Sequence, residues 1–156
     1  MIQKAVFIIL ALTPFVSSSQ SIKSGTQAYD QIMEADCDTK LFTKYEERAS
    51  FKVSKEALED SITVYLKAHN AWKDKRKFRA QFILTKKSHI VDFERYRGDL
   101  EISDVEKAVL RYSELWLPAR TNNLEICAYV KCEFEAKGDR LTVTVLDPNQ
   151  KGRAAK

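Results

Sequence analysis

Glycine, proline, cysteine and histidine are all scarce in this chain of 156 residues, which holds 4 Gly, 3 Pro, 3 Cys and 2 His. So little glycine and proline excludes collagen-like and low-complexity chains, and so few cysteines exclude a disulfide-dense miniprotein. The histidines stand apart, and no GxSxG, HExxH, P-loop or CxxC pattern occurs, so no familiar nucleophile, zinc or phosphate motif is present. A strong charge of one sign is missing as well. Basic residues outnumber acidic ones by only 26 to 22, scattered along the chain, which does not announce a nucleic-acid binder. The composition, 44% apolar and 31% charged, fits one globular domain for which no cofactor, metal or catalytic residue is expected.

A long hydrophobic run is also absent, but a short one opens the chain. Met1–Lys4 carries a positive charge, Ala5–Val16 is apolar, and Ser17-Ser18-Ser19 supplies small residues, the pattern of a secretory leader over residues 1–19. The apolar run of about 12 residues, interrupted by Pro14, falls short of the ~20 that a spanning helix needs. No cysteine follows the small residues until Cys37, which argues against a lipid-modified N-terminus. We therefore expect a periplasmic or secreted product with no transmembrane span after cleavage. Removal of 19 residues from 156 leaves 137, enough to bury close to the ~68–70% of chain surface typical of ~150 residues.

An oxidising compartment lets disulfides persist, and three cysteines allow one bridge and one leftover thiol. Cys127 and Cys132 lie five apart in an alternating segment, which points them to opposite faces of a strand. Cys132 shares its face with Ile126, Ala128, Val130 and Phe134 and reads as a core cysteine. Cys127, alongside Glu125, Tyr129 and Lys131, is the better partner for Cys37. The expected disulfide is Cys37–Cys127.

Residues 20–44 read as an N-terminal arm, polar and loop-like at its start, in which Tyr29, Ile32, Met33 and Leu41 suit either one short helix turn or a strand against the domain. The domain, residues 45–146, begins with clearer signals: Ser54 as an N-cap and Val53 with Leu58 as a hydrophobic staple open a helix. Leu58, Ile62, Tyr65 and Leu66 form its stripe, and Asn70 suits its end. Period two then runs through Phe78–Leu84 and Ile90–Tyr96, separated by Thr85–His89, a hairpin. Ser103-Asp-Val-Glu106 reads as a capping box for a second helix lined by Val105, Ala108, Val109, Tyr112 and Leu115 and halted by Pro118. Leu124–Glu135 reads as one long strand, Lys137-Gly138-Asp139 as a turn, and Leu141–Val145 as its partner. The basic tail 147–156 has no large apolar residue after Leu146 and is expected to be disordered. The order α-β-β-α-β-β, with three to four antiparallel strands on two helices, gives an α+β fold with one wetter sheet face.

The helix ahead of a strand–turn–strand, the capped helix ending in Trp116-Leu-Pro-Ala119 and the long strand after it resemble the C-terminal domain of TonB-type energy transducers. The likeness is to the short secreted versions of Bacteroidetes-type bacteria and covers about residues 51–135. This chain departs from the family pattern at Asn70-Ala71-Trp72, where Tyr-Pro is common, and at Lys86–His89, where the hairpin turn often has glycine. The resemblance implies a non-enzymatic envelope module that recognises an extended peptide, such as an outer-membrane receptor segment, with a link to outer-membrane transport.

In that reading the C-terminal hairpin offers a sheet edge to the peptide, and Tyr129, Lys131, Thr142 and Thr144 are its outward residues. Lys73, Lys75 and Arg76, in the densest basic cluster, are a further candidate contact for an acidic partner or an anionic envelope surface. A homodimer is a further partner compatible with this reading. The alternative is a small secreted hydrolase or ligand carrier, whose mark would be a pocket converging on His89, Asp92 or Glu94.

Overall fold

A computed structural model describes residues 21–97 and 103–148. The expected leader and the tail beyond Pro148 lie outside the described residues. The elements are α1 (Gln27–Cys37), β1 (Ser50–Phe51), α2 (Lys55–Ala68), β2 (Arg76–Leu84), β3 (Ile90–Arg97), α3 (Ser103–Arg111), a 3-10 turn at Ser113–Leu115, β4 (Trp116–Leu117), β5 (Arg120–Thr121), β6 (Leu124–Glu125), β7 (Ala128–Lys137) and β8 (Arg140–Val145). The main sheet is antiparallel in the order β3-β2-β7-β8, so the fold is α+β. No described helix is long and apolar enough to cross a membrane.

The inner face of this sheet packs on α2 and α3, as the alternation of Phe78, Ala80, Phe82 and Leu84 requires. Ser54 caps α2 by accepting the Ala57 N–H at 3.1 Å, and Leu58, Ile62 and Leu66 turn inward. Trp116 is fully buried, with its ring edge-on to Phe82 at 5.2 Å and to Phe51 at 4.8 Å. Phe134 stacks on Phe78 at 5.1 Å, and Cys132 beside it is buried and free, its thiol pushed up by desolvation.

Three local expectations need correction. The arm contains α1, capped by Thr26, whose hydroxyl accepts the Tyr29 N–H at 3.2 Å. The long strand from Leu124 is interrupted at Ile126-Cys127, where the Ile126 N–H donates to the Ala119 carbonyl at 3.0 Å and Cys127 is held by the disulfide. Leu124–Glu125 pairs instead with β5. At the start of α3 the Glu106 carboxylate accepts the Ser21 N–H at 2.8 Å, which ties the segment ahead of α1 to this helix. Asp147 and Pro148, assigned to the tail, are half-buried against the domain.

Both edges of the main sheet are occupied along their central residues. On β8 the outward N–H groups of Leu141 and Val143 donate to Thr63 Oγ1 at 3.0 Å and to Glu59 Oε1 at 2.8 Å, both side chains of α2. The amides of Thr142 and Thr144 therefore face β7, and the expected free edge at Leu141–Val145 is closed by its own helix. On β3 a bulge puts Asp92 at φ 54° and turns two successive amides outward. Asp92 N–H donates to the Ile22 carbonyl at 2.8 Å and Phe93 N–H to Ser21 Oγ at 3.0 Å.

Phe134 is the sharpest probe of this core, because it is fully buried on the inner face of the sheet and stacked on its cross-strand neighbour Phe78. Phe134→Ala should lower the free energy of unfolding by about 3–5 kcal/mol in chemical denaturation, whereas Lys131→Ala on the other face should change it by less than about 1.

Candidate functional site

The outer face of the sheet carries Lys77, Arg79, Gln81 and Ile83 from β2 and Tyr129, Lys131, Glu133 and Glu135 from β7. α1 closes one end of it. Met33 and Cys37 pack on Ile83, Val91 and Cys127, and the Cys37–Cys127 disulfide fastens the helix there across 90 residues of sequence. The expected pairing is the one formed.

Beside the disulfide, a buried carboxylate gathers the hairpin turn. Asp36 Oδ2 accepts from Thr85 Oγ1 at 2.9 Å and stands 2.7 Å from His89 Nδ1, while Oδ1 pairs with Lys87 at 3.0 Å. Burial alone would raise this carboxyl, but the bonds from His89, Lys87 and Thr85 outweigh it and hold it below the ordinary aspartate range. Ser88 takes φ 64° in the same turn, a left-handed position that favours glycine, and its hydroxyl donates to the Trp116 carbonyl at 2.8 Å. A residue that would be strained in isolation thus ties the turn to the core tryptophan.

The convergence expected of a hydrolase is absent among the described residues. His89 is turned to Asp36 with its side chain 56% exposed. Asp92 Oδ1 accepts the Ser24 N–H at 3.3 Å, and Glu94 Oε1 accepts from Gln81 at 3.4 Å. The bulge at Asp92 has broken the alternation that would have put the two carboxylates side by side.

The other end of the outer face is open. A ladder of Lys77, Arg79 and Glu133 crosses it, with both cations 2.8 Å from the glutamate. Burial works to raise Glu133, yet these two partners keep it low. Between the ladder and α1 lies a notch of about 250 Å³, lined by Thr43, Tyr45, Gln81, Tyr129, Lys131 and Leu146, with Pro148 at its rim. Chain geometry creates it. Phe42 runs beside β7, donating to the Cys127 carbonyl at 2.9 Å and accepting from Tyr129 N–H at 3.1 Å. β8 leaves the same side of β7 after Leu146, whose N–H donates to the Lys131 carbonyl at 2.8 Å. The notch is the gap between these two flanking segments. Tyr45 reaches across it, its hydroxyl donating to the Tyr129 carbonyl at 3.2 Å, and burial pushes that phenol up to about 12. It remains a neutral donor at physiological pH.

Of the residues expected from sequence, the structure brings Tyr129 and Lys131 together in this notch. Thr142 and Thr144 lie further along the same face, where Thr142 donates to the Glu135 carbonyl at 3.2 Å. Lys73 and Lys75 belong to the α2–β2 connection and Arg76 is the first residue of β2, and none of the three lines the notch. Thr43, Tyr45 and Gln81 were missed. Period two marks Gln81 as outward, and the register then sets it opposite Lys131. For Tyr45 no local pattern carries a signal, because the tertiary bridges Phe42–Ala128 and Glu47–Arg120 on either side of it bring it there.

The Asp36 network has a defined acid signature. A carboxyl held low in the fold contributes stability that is present above its unfolded value, ~3.9, and lost as pH falls through the lower folded value. The wild-type protein should therefore lose stability steeply below about pH 4. Asp36→Asn should start less stable at neutral pH and show a shallower acid limb, read from denaturant midpoints between pH 2 and 7.

No family model, no curated protein and no solved structure matches the chain.

Proposed function

We propose that the chain is a non-catalytic, extracytoplasmic binding module that takes an extended peptide of an envelope protein at the notch beside Tyr129. The notch itself carries this reading: a concave, mainly apolar site with a few polar groups at its wall is the form a recognition pocket takes. Two tyrosines supply contact area at low entropic cost, and Gln81 and Thr43 supply adaptable hydrogen bonds.

Several observations support the extracytoplasmic setting. The leader-like N-terminus and the disulfide fit an oxidising compartment. The succession of helix, hairpin, helix and strand, with the last strand pairing to the first of the hairpin, supports the likeness to TonB-type C-terminal domains. Ser88 fills the left-handed turn position where that family often has glycine. Recognition differs from the strand pairing that the resemblance implies, since α2 occupies the β8 edge. Specificity comes instead from a partner side chain lodged against Tyr45 and Tyr129, and a link to outer-membrane transport runs through that partner.

Site-specific photocrosslinking in the producing cell tests this. A benzophenone side chain in place of Lys131 should give adducts that weaken on Gln81→Ala, whereas the same group in place of the exposed Val64 on α2 should give none. Adducts at neither position, or equal adducts at both, would contradict the assignment.

A further inference from the structure

A second concavity lies on the other side of the sheet, at the end of the helix layer. Leu66 of α2, Val105 of α3, and Phe78 and Leu141 of the sheet surround a cleft of about 50 Å³ with Trp72, Lys73 and Arg76 at its mouth. The way α2 ends produces it. Asn70 takes φ 54°, and the Ala71 N–H donates back to the Leu66 carbonyl at 2.8 Å, a reversal that turns the chain across the end of the helix. Trp72 is thereby held half-buried against the core, with the Lys67 ammonium 5.3 Å from its ring centroid.

The charges at this mouth are unbalanced. Asp104, the carboxylate lining the cleft, is engaged by Lys107 at 3.6 Å, whereas neither Lys73 nor Arg76 forms an ion pair with a described residue. An apolar floor under two cations with no ion-pair partner among the described residues complements an apolar group next to an anion. The cleft is far below the ~300–1,000 Å³ of a small-molecule site, and its scale is that of one side chain.

We infer that this cleft docks an acidic peptide segment, with one apolar side chain on the Leu66–Phe78 floor and flanking carboxylates on Lys73 and Arg76. Arg76 offers a planar fork to one carboxylate, and Lys73 offers a mobile charge to the other. An anionic bilayer also attracts basic clusters, but its flat surface would not reach the floor behind a half-buried Trp72. This seat is separate from the notch, and either can fail without the other.

The two tryptophans make the test direct, since Trp72 frames the cleft and Trp116 is buried in the core. The full 15N-labelled protein is titrated with acetyl-Glu-Leu-Glu-amide while both indole N–H signals are followed. The Trp72 signal should shift and saturate, and the Trp116 signal should stay in place. Acetyl-Gln-Leu-Gln-amide should bind about tenfold more weakly or worse, as expected on losing a charge-assisted pair. The Lys73→Glu, Arg76→Glu double variant should lose the response while its unmoved Trp116 signal reports an intact fold. An unshifted Trp72, or equal binding of the Gln peptide, overturns the inference. So does a response of Trp72 to phosphatidylglycerol–phosphatidylethanolamine vesicles with none to the acidic peptide.

Discussion

The bond between Cys37 and Cys127 joins residues 90 apart and brings α1 down on Ile83 and Val91 at one end of the outer sheet face. An isolated helix of 11 residues is marginal in water, and α1 has only Met33 and Cys37 as buried apolar side chains. Closing a loop of this length removes unfolded-state entropy worth about 4–5 kcal/mol in the chain-entropy account. The buried Asp36, bonded to Thr85 and His89, adds a polar clasp beside the covalent one. With α1 fixed there, Ser21 and Ile22 just ahead of it lie along β3, and residues 42–45 just after it run beside β7. One covalent link thus sets what is covered on this face and where the notch is left.

Legibility in the sequence followed the strength of local periodicity. α2 and the β2–β3 hairpin were readable because apolar residues recur at 3.6 or at 2 and cap and turn residues flank them. α1 was not, since its inner side carries Asp36 and Cys37 next to Met33, which no hydrophobic count recognises as a buried stripe. The break at Ile126-Cys127 was hidden for the opposite reason. Alternation continues on either side of it, and what interrupts the strand is tertiary: the Ile126 N–H goes to the Ala119 carbonyl and Cys127 to the disulfide. The disulfide partners agree with the reading from odd cysteine number and parity even though the strand is interrupted there, because Cys127 still packs in a different cluster from Cys132.

Function was less legible because it depends on edges and gaps, which are tertiary. The alternation of Leu141–Val145 describes a strand equally well whether its outer amides are bare or paired. What closes them is a glutamate and a threonine on the inward side of α2, at positions where a helical stripe would ordinarily be apolar. Native sheets commonly guard their edges in this way, and both central edges are guarded here. The notch survives as a recognition surface because β8 and the 42–45 segment approach the same side of β7 from opposite ends without meeting. Tyr129 and Lys131, chosen from sequence as outward residues of an edge, lie at this gap for a different reason.

Amide hydrogen exchange on β8 tests the account most directly, because a closed edge and an open one differ there by residue. If Glu59 and Thr63 hold the outer amides, Leu141 and Val143 should exchange as slowly as the inward amides of Thr142 and Thr144, and Glu59→Ala should release Val143 selectively. Fast exchange at Leu141 and Val143 in the wild-type protein, with Thr142 and Thr144 still protected, would show a free edge. That result would return recognition to strand pairing and take it away from the notch.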